Sequence, residues 1–247
     1  MNQSSFKDFG INFKIMLITI FSMVLLINMP FIMAVPSGPN IDLIRNQTLS
    51  PSSAHMINTS GGSITTMVLN STTQNIRWKA FVGNITGKLT LDDGDGYSVF
   101  DWSISTFVGE VYATRSPNYI GWSNINCSTV SNISNEEIAL NHTANPNDNI
   151  STTFNAQDHS SFYVGHVMIP SDNCYSVHTY VNASNQSADF EEVLLHDGTS
   201  MVYSTVIEND VKGYRPNETF DFQMIVPEVG LNSWTSSTPY YFYVELI

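Results

Sequence analysis

Three carboxylates crowd one turn of this chain: Asp92, Asp93 and Asp95, in the run Asp92-Asp93-Gly94-Asp95-Gly96. Calcium is a hard cation that collects several oxygen ligands, so this run is a candidate calcium ligand set. It lacks the spaced ligands and distal Glu of an EF-hand loop, since Tyr97, Val99 and Phe100 follow. A plain β-turn is the competing reading, because Asp and Gly both tolerate positive φ. A second acidic group, Asp189, Glu191 and Glu192, raises glycoside hydrolysis, which needs two carboxylates at a defined separation across a sugar. Three acids within four residues of one element do not supply that separation, and a solvated edge or turn is the better expectation. The histidines, His55, His142, His159, His166, His178 and His196, form no HxH, HxxxH or HExxH spacing. His166 and His178 could meet only on adjacent strands. Neither a GxSxG elbow nor a Gly-rich phosphate loop is present. The residues therefore point away from an enzyme, and calcium is the one cofactor left open.

Two other residue classes carry information. Cys127 and Cys174 are the only cysteines, and in an exported chain the simplest expectation is one disulfide. It would close a loop of about 48 residues, worth about 3–4 kcal/mol in the chain-entropy treatment. Eleven Asn-x-Ser/Thr sequons crowd the stretch downstream of the hydrophobic N-terminus, beginning at Asn46, Asn58, Asn70, Asn84, Asn126, Asn132, Asn141, Asn149, Asn182, Asn185 and Asn217. They have meaning only where a chain is exported and glycosylated, and there they mark exposed backbone. Aromatic residues are the remaining candidates for binding. Trp122, Trp234, Tyr241 and Tyr243 could stack on sugars or seal a protein interface if exposed.

The N-terminus fits the export reading. Lys7 and Lys14 precede the apolar run Ile15–Ile27, Pro30 breaks it, and Ala34 is a small residue suited to cleavage. Residues 1–34 are expected to be a signal helix. A retained anchor is the rival, although Asn28 and Pro30 interrupt the length a span requires. Residues 35–75 are rich in Ser, Thr, Asn and Gly and read as a loosely ordered, glycosylated segment. Its two apolar patches, Ile41–Ile44 and Ile64–Leu69, could still add as strands to an open sheet edge of a neighbouring copy. The net charge of -13 repels phosphate backbones and excludes nucleic acid as a natural partner.

Residues 76–247 must then position whatever functions. From Phe81 to Leu91 the odd positions are Phe, Gly, Ile, Gly, Leu and Leu while the even ones are mostly polar, a period of two that predicts one long strand with Asn84 on its polar face. The Asp-rich turn returns it as Tyr97–Ile104. His196-Asp197-Gly198-Thr199 predicts a second hairpin between Glu192–Leu195 and Met201–Ile207. Further strands are expected at 107–114, 162–169, 175–181, 220–226 and 240–247. Only Asn135–Asn141 reads as helix, capped by Ser134 or Asn135. Phe81-Val82-Gly83, Phe107-Val108-Gly109 and Tyr163-Val164-Gly165 share a motif whose glycine could sit beneath Trp78, Trp102 or Trp122. The fold class expected is an all-β sandwich, Ig-like or jelly-roll-like, with one short helix after the N-terminal signal helix.

Trp78 to Trp102, read as W-x-x-F-x-G-N-x-x-G-x-x-x-L-x-D followed by F-D-W, resembles a block of uncharacterised exported proteins of archaea. Cys174 through Asp189-Phe190-Glu191-Glu192 to Asp197-Gly198, and the closing Tyr240–Leu246, are similar to the rest of that group. The resemblance covers about 76–247 and implies a cell-surface address. It carries no activity with it, and the acidic turn at Asp93 and Asp95 is a departure of this chain. The expectation is a non-enzymatic secreted glycoprotein, structural or adhesive, whose partners are its own copies, other surface proteins or glycans. It would touch a membrane only through an uncleaved leader. An extracellular carbohydrate-binding module is the alternative.

Overall fold

The computed structural model describes residues 35–118, 120–231 and 236–246. The expected leader over 1–34 and the candidate Trp234 lie outside them. The described chain is all-β. Its first strands are β1 (Trp78–Gly83), β2 (Lys88–Asp92), β3 (Ser98–Ser103), β4 (Gly109–Thr114) and the two-residue β5 (Asn126–Cys127). Helices α1 (Val130–Ala139) and α2 (Ile150–Thr153) follow, then β6 (Phe162–Val164), β7 (Val167–Ile169), β8 (Ser176–His178) and β9 (Glu191–His196). The chain closes with β10 (Met201–Val206), β11 (Val211–Lys212), β12 (Thr219–Phe220), β13 (Phe222–Pro227) and β14 (Tyr241–Leu246).

A central antiparallel sheet runs β14-β4-β10-β9, and β5 and β8 both pair with the far side of β9. Every residue of β4 is buried, as is most of β9 and β10, because both faces of this sheet are covered. One face carries Tyr112, Val193, Leu195 and Val202, packed against Ile120, Trp122, Ile125 and the β6–β7 hairpin. The other carries Ala113, Leu194, Met201 and Tyr203, packed against Met224 and Val226 of β13, Ile133 of α1 and Phe154. There β1 and β13 form their own antiparallel ribbon, Trp78 opposite Pro227 and Gly83 opposite Phe222. Two side chains tie that ribbon to the central sheet. The amide of Ile225 donates to Glu192 Oε2 at 2.7 Å, and Thr205 Oγ1 donates to the Gln223 carbonyl at 3.1 Å.

The period-two run from Phe81 to Leu91 is not one strand. It breaks at Asn84–Gly87, and its halves join different sheets, β1 with β13 and β2 with β3. Asp221 causes the break: its amide donates to the Gly83 carbonyl at 3.0 Å and its carboxylate receives the Ile85 amide at 2.7 Å. The expected strand over 162–169 is a hairpin instead, turning at Gly165, whose φ of 58° is open to glycine without strain. The helix begins earlier than its acidic turn suggests. Thr129 and Asn132 form a reciprocal capping box, Asn132 standing where Glu or Gln is usual. The motif glycines also lack the expected tryptophan cover. A Cβ on Gly83 would meet the Phe222 ring at 3.1 Å, and one on Gly109 would strike the Glu245 carbonyl.

Residues 38–75 contain no strand, and Ile44, Ile64 and Val68 are exposed. The segment meets the sheet at Ser37, whose amide and carbonyl pair with Val244 at 3.0 and 2.9 Å on the outer side of β14. Continuing that register puts Pro39 opposite Phe242, where a strand must donate an N–H that proline lacks. The pairing stops there for that reason.

Candidate functional site

The expected disulfide is present: Cys127 and Cys174 are bonded, with Cα atoms 4.9 Å apart. Cys127 lies on β5 and Cys174 just before β8, so the bridge joins two short strands that follow one another along the same edge of β9. His159 organises the second cysteine. Its Nε2 accepts the amides of Asn173 and Cys174 at 3.3 and 3.0 Å, and its Nδ1 contacts the Ser160 carbonyl at 2.8 Å, which fixes a neutral ring protonated on Nδ1.

Two of the three turn carboxylates, Asp92 and Asp93, act on their own hairpin. Asp93 Oδ1 accepts the amides of Asp95 and Tyr97 at 2.9 and 2.8 Å, and Asp92 receives Ser98 and Thr90 hydroxyls. The hydroxyl of Ser98, ahead of that of Thr90, holds the Asp92 carboxyl below its ordinary range. Among the described residues no group of three or more His, Cys, Asp or Glu is placed to hold a metal ion. Glu191 and Glu192 do not work as a pair either, because neighbouring residues of a strand face opposite ways. Glu191 receives the amide and hydroxyl of Ser160, both at 2.7 Å, while Glu192 is fully buried under Ile225. His166 sits in the β6–β7 turn and His178 on β8, which pairs with β9, so the two are not on adjacent strands.

Of the aromatic candidates, Trp122 is buried at 6% exposure, with Tyr112 at 5.1 Å on one side and Tyr243 at 5.2 Å on the other. It is a core residue rather than a surface platform. That contact leaves Tyr243 half-buried, and only Tyr241, at 41%, is open. The exposed aromatics are elsewhere. In the β2–β3 hairpin Leu89 faces Trp102 and Leu91 faces Phe100, so all four share one face. They are 54%, 49%, 56% and 56% exposed, and none belongs to a core cluster of the described residues. The opposite face is polar, with Lys88 bonded to Asp101 at 2.7 Å.

Sequence reasoning missed a buried carboxylate pair. Glu110 on β4 and Glu245 on β14 are directly opposite in the ladder and are 3% and 1% exposed. Tyr112 Oη lies 3.3 Å from Glu110 and 3.0 Å from Glu245, and the Gly165 amide donates to both Glu245 oxygens at 2.9 and 3.0 Å. Burial first, and the neighbouring Glu245 second, push Glu110 up to about 8. Burial raises Glu245 as well. Two like charges this close do not both ionise, so the pair carries one proton. Gly165 and Tyr112 both donate to Glu245 and favour the charge there, which leaves the proton on Glu110. The pair can hold a proton and lies buried beneath the β6–β7 turn. The polar depression nearest the surface is different, lined by Arg115, Glu136, Asn132 and His196. There Arg115 clamps Glu136 through two bonds of 2.7 Å.

Nine of the sequon asparagines are exposed, and Asn132 and Asn149 are half-buried. Those two cap helices through Oδ1, which leaves Nδ2, the atom a glycan takes, outside the cap. No sequon falls between Asn84 and Asn126, the stretch that holds the β2–β3 hairpin. Comparison with family models, curated proteins and solved structures finds no match to this chain.

Proposed function

We propose that this chain is a non-enzymatic, exported glycoprotein with a structural or adhesive role at a cell surface. The observation that carries the reading is the β2–β3 hairpin: a ribbon with an apolar face whose four side chains are about half exposed among the described residues, in the longest sequon-free stretch between Asn46 and Asn217. An exposed apolar patch marks a surface that meets something. The accessible sequons and the disulfide support the address. Intact mass of the chain recovered from the native surface fraction, before and after deglycosylation, tests it. The expected result is a chain starting at Val35 that loses mass at several sites. An unmodified chain recovered from the cytoplasm sinks the reading.

Carbohydrate binding is the second reading, favoured by the edge-to-face Phe100 and Trp102 pair, whose rings are 4.9 Å apart and solvent-facing. A glycan-array signal abolished by Trp102→Ala would favour it over the scaffold.

A further inference from the structure

The β2–β3 hairpin is the only contact β2 or β3 makes within its own sheet, and both outer edges of this ribbon are unpaired among the described residues. A two-stranded ribbon is marginal in water and needs its apolar face covered. We infer that the cover is the same face of a second copy, the two hairpins stacking as the layers of a small sandwich around a two-fold axis. This rests on the structural reading above and names its partner.

Self-pairing follows from the composition of the patch. A two-fold contact requires one surface to complement itself. Leu89, Leu91, Phe100 and Trp102 carry no charge and lie on one flat ribbon face, so two such faces meet without burying an ion. The charges lie around the rim and set direction. Asp92, Asp93 and Asp95 occupy the tip and Lys88 the base. Tips side by side would gather six carboxylates, a repulsive arrangement. The reversed arrangement separates the two tips and sets each by the other copy's Lys88–Asp101 ion pair. The same acidic tip disfavours an anionic lipid surface as the cover. Glycans do not obstruct the face, since no sequon lies between residues 85 and 125.

Sedimentation velocity of the full secreted chain over a concentration series tests this. A dimer that dissociates on dilution is expected. Leu89→Ser and Trp102→Ser should each weaken it by about tenfold or more, with far-ultraviolet dichroism and the Tm of the diluted monomer unchanged because neither side chain belongs to a core cluster. Leu91→Cys should give a linked dimer with a bis-maleimide reagent long enough to cross the ~10 Å between stacked sheets, whereas Asp101→Cys, on the outer face, should not. A wild-type chain that stays monomeric overturns the proposal. So does a dimer that survives both serine variants, or equal cross-linking from Leu91→Cys and Asp101→Cys. Binding of neutral or anionic vesicles, or of an arrayed glycan, by a monomer through Trp102 also overturns it and assigns the face elsewhere. A glycosylated surface chain that is monomeric leaves the export reading intact and removes only this one.

Discussion

Glu110 shows what a single side chain can impose on the rest. Its carboxyl, buried beside Glu245, is raised from an ordinary value of 4.5 to about 8. The folded state therefore binds this proton more tightly than the unfolded chain does. The resulting stabilisation is complete below 4.5 and is lost as pH rises through about 8. The loss is on the order of 4 kcal/mol, a large share of a typical domain's stability. Thermal unfolding across that window should show Tm falling as pH rises. Glu110→Gln should flatten the curve, because the amide mimics the neutral acid and cannot ionise. An unchanged slope in the variant would place the dependence on another group. The sequence does contain a trace of this pair. Glu110 and Glu245 each interrupt an apolar strand, in Gly-Glu-Val-Tyr and Val-Glu-Leu. A charge on a strand with both faces covered needs a partner. Which partner depends on β14 lying beside β4, and that neighbour relation is absent from local spacing.

At the level of elements, what was legible was local. The β2–β3 and β9–β10 hairpins follow from Asp-Gly turns and appear as expected. The break between β1 and β2 was not legible, since Asp221 makes it from far along the chain. The same contrast separates the aromatic candidates: Trp122 and Trp102 look alike in sequence, yet one lies between two tyrosines and the other in solvent. Glu192 illustrates how layers are joined. Its Oε2 is the acceptor for the Ile225 amide of β13, and burial raises its own titration well above the ordinary range. Glu192→Ala should cost about 1–3 kcal/mol for the orphaned amide alone, with further loss from the cavity. Denaturant titration of the variant checks this, and an unchanged midpoint would mean the two layers do not depend on that bond. The β5–β8 edge is secured covalently. Cys127→Ser with Cys174→Ser should lower stability by about 3–4 kcal/mol. Amide exchange should then rise first in the residues the bridge encloses.

Across the whole molecule, charge and covering divide the surface. An acidic exterior with accessible sequons keeps much of it solvated, and the exceptions include the hairpin face, the apolar side chains exposed between Ile41 and Leu69, and the edge of β14. Pro39 stops pairing along that edge after a single residue, which keeps it from templating longer ladders. The order of strands also governs time. β1 pairs with β13, and β4 waits for β14, so the outermost sheet contacts join the two ends of the folded region. Such long loops close slowly. If the chain crosses a membrane N-terminus first, β4 emerges with one edge bare and Glu110 without its partner, and stays so until the last strand arrives. A chain cut after Pro239 should lack cooperative unfolding and be rapidly proteolysed, although it retains most of the core residues. Completion of the fold is thus timed by β14, so a chain that crossed a membrane would stay pliable until that strand was through.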